Sequence, residues 1–159
     1  MSIKTKLLIS FLALAFTLQS QNVVHVYKIA DLLKRIDTTK TTMVINFWST
    51  WCKPCVQELP SFDSLTAMQN TSKVLLVSLD FSEDLDTKVN PFLKKNKVMT
   101  ECVLLDESNG NDYINKISEN WSGSIPATLF VHRGKKIFIE KKLKLKDLLY
   151  YLNEVQKIN

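Results

Sequence analysis

Cys52 and Cys55 are separated by two residues, Lys53 and Pro54, and preceded by Trp51. The apolar run Met43–Trp48 ahead of them reads as a strand, and Val56-Gln57-Glu58-Leu59 behind them as the start of a helix. Two thiols at that spacing on a strand-to-helix turn can close a small disulfide and open it again. The first would lie at the helix N-terminus, where unpaired backbone N–H groups and the helix dipole favour a thiolate, the form that attacks another disulfide. The chemistry expected is thiol–disulfide exchange, with an outward-facing Cys52 as nucleophile and a more buried Cys55 as resolving thiol.

Zinc is the main competitor for such a pair, but zinc normally takes four ligands at paired spacings. The remaining candidates are Cys102, His25 and His132, with no second pair. Pro54 and Trp51 also suit a tight redox turn better than a metal knuckle. A static structural disulfide is the other alternative. Glu58 lies one helical turn after Cys55, and residues i and i+3 face each other on a helix. A partly buried carboxylate there can accept a thiol proton if burial raises its pKa. Its plainer reading is a solvated acid, or a partner for Lys53. Cys102 reads as a small buried apolar residue. Trp48, Trp51 and Trp121 divide between core and active-site rim.

The elements that must position these residues are set by periodicity. Val23–Tyr27 is a short strand and Ile29–Ile36 a helix. Thr41–Trp48 is a central strand. A helix over Cys52–Gln69 carries Val56, Leu59, Phe62, Leu65 and Met68 on one stripe, and Pro60 should bend it because proline removes a backbone donor. Val74–Leu79 is a continuous apolar run, the mark of a strand buried on both faces. Val89, Phe92 and Leu93 give a helical stripe, Glu101–Leu105 a strand, Ser108-Asn109-Gly110 a turn, and Tyr113, Ile114 and Ile117 a short helix. Ala127–His132 and Lys135–Glu140 flank Arg133-Gly134, a hairpin signal. A last helix over Leu145–Ile158 aligns Leu145, Leu148, Leu149, Leu152 and Val155. Alternating strands and helices of this kind predict a three-layer α/β/α sandwich with a mixed sheet.

Residues 1–20 read as a signal peptide: Lys4 and Lys6 form a basic start, and Leu7–Leu18 an apolar core too short for a bilayer span of about 20 residues. Cleavage is expected near Ser20–Gln21, with a retained anchor as the alternative, and residues 21–159 then form one domain. Loss of the two lysines lowers the formal net charge of +5 by two, a mild basicity that does not call for nucleic acid. The late lysines (Lys135, Lys136, Lys141, Lys142, Lys144, Lys146) alternate with apolar residues and read as solvated faces. Export puts the pair in an oxidising compartment, where stable disulfides are expected. With 45% hydrophobic residues, packing can supply the core.

The runs VINFWSTWCKPC (Val44–Cys55), VQELP (Val56–Pro60) and SIPATLFV (Ser124–Val131) together resemble the thioredoxin superfamily, and within it the exported TlpA/ResA-like thiol–disulfide oxidoreductases. The resemblance spans about residues 23–157. It implies a thioredoxin-like fold in which Asp80–Asp106 is an inserted helix–strand segment. It implies a cis-proline at Pro126 facing the cysteines, and a substrate-binding surface of Trp51, Ile125 and Pro126. A cis bond is tolerated mainly before proline, and the Ile125 backbone can then pair with an extended client. Asn46 stands where cytoplasmic thioredoxin has a buried aspartate, which favours the exported group. A glutamate at the place of Glu58 is associated with the active site in that group.

The resulting expectation is a periplasmic, monomeric reductase of disulfide-bearing proteins, supplied with electrons by a membrane thiol-reductant donor. No phosphate loop or dinucleotide fingerprint is present, and no cofactor or metal is expected. Lys53 would stabilise the Cys52 thiolate and make the pair more oxidising, so a disulfide-forming oxidase is one alternative. A copper chaperone using both thiolates is another, for which His132 would have to approach the pair. A thiol peroxidase would need a different motif around its cysteine.

Overall fold

The computed structural model describes residues 24–68 and 72–158. The targeting segment, Val23 and Gln69 lie outside the described residues. Among the described residues, six strands and five α-helices run in the order β1 (His25–Tyr27), α1 (Ile29–Asp37), β2 (Thr42–Trp48), α2 (Lys53–Met68), β3 (Ser72–Ser78), α3 (Asn90–Lys95), β4 (Glu101–Leu105), α4 (Ile114–Ile117), β5 (Ala127–His132), β6 (Lys135–Ile139) and α5 (Leu145–Lys157). They form one mixed sheet of order β1-β4-β3-β2-β5-β6, with β1 to β4 parallel and β5 and β6 antiparallel to their neighbours.

Side chains alternate between the two faces of a strand, and this parity divides the core. Val44 and Trp48 of β2 and Leu76 of β3 pack with Leu59, Phe62 and Leu65 of α2 and with Leu148, Leu152 and Val155 of α5. Met43, Ile45 and Phe47 join Leu75 and Val77 on the opposite face, against Ile29, Leu32 and Ile36 of α1 and Ile117 of α4. Every residue of β2 is buried, as a central strand with helices on both sides requires. The expected sandwich is therefore present. Asn46 shares the parity of Val44 and Trp48, so β2 directs a polar side chain at α2.

Several boundaries moved. The second helix starts at Lys53 rather than Cys52 and runs unbroken through Pro60 to Met68. The strand read as Val74–Leu79 is shifted toward Ser72, and Leu79 instead donates its N–H to the Trp48 carbonyl at 2.8 Å. The Asp80–Asp106 segment holds a helix and a strand as expected. It also contains a 3₁₀ turn at Ser82–Asp84 and a π-helical turn at Leu85–Val89, which the apolar stripe did not announce. The β5–β6 hairpin closes through Arg133 (φ 47°) and Gly134 (φ 81°), the pair of positive φ values that a type I′ turn needs.

Phe62 is fully buried between α2 and the sheet. Phe62→Ala should lower stability by about 3–5 kcal/mol, the usual cost of emptying an aromatic core site. Urea unfolding of the two proteins measures this, and a loss under about 1 kcal/mol would contradict the packing described.

Candidate active site

The β2 strand ends at Trp48, and the chain turns through Ser49, Thr50 and Trp51 to reach α2. Cys52 sits just before the first helical residue and acts as its cap: its carbonyl accepts the Val56 N–H at 3.0 Å, and its sulfur accepts the Cys55 N–H at 3.3 Å. A helix start leaves such N–H groups without intrahelical partners. Pro54 falls in the first turn, where its missing N–H removes nothing the helix uses. Cys52 and Cys55 are joined in a disulfide, with Cα atoms 5.3 Å apart. Trp51 beside them is exposed at 69%, while Trp48 and Trp121 are buried, so the tryptophans divide as expected.

Cys52 corrects the expectation of an outward-facing sulfur. It is only 5% exposed, against 0% for Cys55. The order of accessibility holds, and the loop before β5 contacts the first cysteine. The Ile125–Pro126 peptide is cis, and the Ile125 carbonyl oxygen lies 3.8 Å from the Cys52 sulfur. With both sulfurs bonded to each other, this is a contact rather than a hydrogen bond. Trp121 anchors the same loop: it packs on Phe47 at 4.6 Å between ring centroids, and its indole N–H donates to the Ser124 carbonyl at 2.9 Å.

Glu58 is neither a solvated acid nor a partner of Lys53. It is buried at 1% exposure. Oε1 accepts from Asn46 Nδ2 at 2.7 Å and Oε2 from the Leu143 backbone N–H at 2.8 Å. Burial pushes its pKa up from 4.5 to about 7, against the opposing pull of the Leu143 and Asn46 hydrogen bonds and of the Lys142 charge. The pair spans the interface between β2 and α2, the helix that begins at the disulfide. Asn46 Nδ2 also lies near Thr128 Oγ1 (3.2 Å) and the Ala127 carbonyl (3.4 Å), tying β5 into the network.

Two supports escaped the sequence. Asp80, 2% exposed, accepts from the Thr50 N–H (2.9 Å), the Thr50 hydroxyl (2.5 Å) and the Ser78 hydroxyl (2.7 Å), and so fixes the turn that leads into Cys52. A lone aspartate after a buried strand carries no signal of that role. The Leu143 N–H is a backbone group 85 positions from Glu58, which no side-chain pattern reveals. Cys102 is buried as expected, and burial pushes its thiol up to about 12. His132 lies at the far end of β5, with Nδ1 2.8 Å from Thr42 Oγ1, and the fold does not turn it toward the cysteines.

A disulfide at a helix N-terminus, faced by a cis-proline loop on a mixed sheet with helices on both sides, defines a thioredoxin-like protein. The AhpC/TSA family model matches residues 12–138, and the chain belongs to that family. Its fold is similar to that of a thioredoxin-related protein from Neisseria meningitidis serogroup B (21% identity, TM-score 0.64, 74% of this chain and 87% of that one). It is also similar to StoA from Bacillus subtilis (23%, TM-score 0.56, 73% and 85%). In sequence, sporulation thiol-disulfide oxidoreductase A of Bacillus subtilis is 36% identical over 63 residues, 38% of each chain. Thiol-disulfide oxidoreductase ResA of Oceanobacillus iheyensis is 30% identical over 117 residues, 71% of this chain and 56% of that one. The chain thus spans well under two thirds of the length of these curated relatives.

The raised pKa of Glu58 makes stability depend on pH with a definite sign. Below about pH 4.5 the carboxyl is protonated in both folded and unfolded chains and has no effect. Between 4.5 and about 7 the unfolded chain releases its proton while the folded protein keeps it, so stability falls as pH rises. Above 7 the loss is complete, at about 3 kcal/mol. Urea unfolding across this range should show Glu58→Gln lacking that component of the slope; an identical pH dependence in both proteins would refute the assignment.

Proposed function

We propose that this protein is an exported thiol–disulfide oxidoreductase that reduces disulfides in extracytoplasmic protein clients, acting as a monomer. The observation that carries the reading is the Cys52–Cys55 disulfide capping α2 under the Ile125–Pro126 loop. The relatives' names, thiol-disulfide oxidoreductase, support the reaction class. The basic start and apolar core of residues 1–20 support export.

In the reduced protein, the Cys52 thiolate attacks one sulfur of a client disulfide. A Cys52–client bond forms, and the other client sulfur leaves as thiolate and takes up a proton. Glu58 then accepts the Cys55 proton, and the Cys55 thiolate attacks the Cys52 sulfur. The second client sulfur leaves, the Cys52–Cys55 bond closes, and two electrons have passed to the client. A dithiol of a membrane reductant restores the pair by the reverse exchange. Trp51 and the Ile125–Pro126 backbone receive the client chain.

Two features of the surroundings support the reducing direction, against the pull of the helix N-terminus toward a thiolate. An oxidising pair needs its reduced form stabilised. Lys53 is exposed and its charge is screened by water, and the buried Glu58 of the same helix is an acid whose charged form opposes a thiolate.

Cys55→Ser should accumulate client mixed disulfides on Cys52, seen by non-reducing electrophoresis and mass spectrometry of the native compartment. Cys52→Ser should trap none and have no reductase activity. Glu58→Gln should slow closure of the Cys52–Cys55 bond about 100-fold, the lower end of general acid–base contributions, as read by stopped-flow thiol quenching. Trapping on Cys55 instead, or a purified disulfide form that oxidises clients faster than the dithiol form reduces them, would overturn the reading.

A further inference from the structure

We propose that Glu140 is a positioning residue for polypeptide clients: it clamps the Ser122–Ser124 turn and so holds the Ile125–Pro126 backbone in place over the cysteine pair. The inference rests on the exchange reading above and adds a residue that neither the motif nor the family likeness points to.

Glu140 directly succeeds β6 and is partly exposed. Its one carboxylate takes three donors from a single turn: the Ser122 N–H at 3.0 Å, the Ser124 N–H at 3.1 Å, and the Ser122 hydroxyl. Gly123 between them has φ +94°, a left-handed conformation that glycine adopts without strain. Neighbouring N–H groups aimed at one point make a concavity suited to an anion, and here the anion is built into the chain. Partial burial raises the pKa of this carboxyl, but the hydrogen bonds from Ser122 and Ser124 outweigh it and hold the group below its usual value.

The clamp matters because it sits next to the backbone that covers the sulfur. Ser124 is held from both sides, its N–H by Glu140 and its carbonyl by the Trp121 indole. The next residue is Ile125, whose carbonyl oxygen lies 3.8 Å from the Cys52 sulfur. The Glu140 bond fixes the peptide plane entering Ser124 and the Trp121 bond the plane leading into Ile125, and together they set the direction in which Ile125 offers its backbone to a client strand. Glu140 bonds to the loop and not to either sulfur. Its removal therefore weakens the docking of chains that use the backbone more than it weakens attack on a disulfide that has none.

The test compares the full-length protein on insulin, a polypeptide disulfide, with its reduced form on hydroxyethyl disulfide, which has no backbone to pair. Glu140→Ala should raise the insulin KM about tenfold, the penalty for ordering one loop residue at the moment of binding. The rate with hydroxyethyl disulfide should fall less than about threefold, which is under about 1 kcal/mol. Glu140→Gln, which keeps one acceptor oxygen, should lie between Ala and wild type. Ser122→Ala, which removes one of three donors, should raise the insulin KM in the same direction by less, and it carries the test if Glu140→Ala does not fold. Equal slowing of both substrates, or an unmoved insulin KM in Ser122→Ala and Glu140→Gln, overturns the clamp. If wild type reduces neither substrate, the exchange reading itself fails and takes the clamp with it; wild type active on both with KM unmoved in the variants removes the clamp alone.

Discussion

A helix that begins with a sulfur is the constraint on which the site depends. The first turn of α2 has backbone N–H groups with no helical partner, and one of them, on Cys55, points at the sulfur of Cys52. On the proposed mechanism, the group that satisfies the helix is also the one that becomes the attacking thiolate. No acidic residue lies in the first turn of α2 to compete for that position. The placement of the cysteine before the helix, rather than within it, links the proposed redox chemistry to the backbone of a central element.

The second constraint is a polar pair placed in an apolar interface. Asn46 faces α2 because the parity of β2 leaves it no other side, and Glu58 faces Asn46 because it sits on the buried stripe of that helix with Leu59 and Phe62. Both oxygens of Glu58 meet N–H donors, which suits a carboxylate, whereas burial suits the neutral acid. These opposing demands put its proton affinity near the middle of the physiological range. The Asn46 amide oxygen is buried without a hydrogen-bond partner, so the network is not saturated. A buried acid with a raised pKa one turn along the helix from Cys55 costs stability, and on the proposed mechanism it serves exchange instead.

Around this centre the chain brings in three separate loops. Asp80, after β3, holds the turn into Cys52; the Trp121–Pro126 segment closes over the sulfur; and the stretch after β6 supplies both Glu140 to that segment and the Leu143 N–H to Glu58. All four parallel strands end toward this side, which is where open α/β sheets collect their functional residues.

Much of this was legible in the order of residues. Periodicity of two and of three to four located the strands and helices, because an apolar face must match the geometry of its element. The pair Cys52–Cys55 and the tight turn at Arg133-Gly134 were equally plain, since spacing and backbone conformation are local properties. Glu58 was legible as a partly buried acid near the pair, whereas its full burial and its two donors were not, because those depend on what packs above it. The accessibility of Cys52, the turn-holding role of Asp80, the Leu143 donor and the Glu140 contacts were decided only when segments 18 to 85 positions apart met. Local sequence sets which atoms can react. The protonation, coverage and orientation of those atoms are properties of their surroundings, and the surroundings are made by the fold.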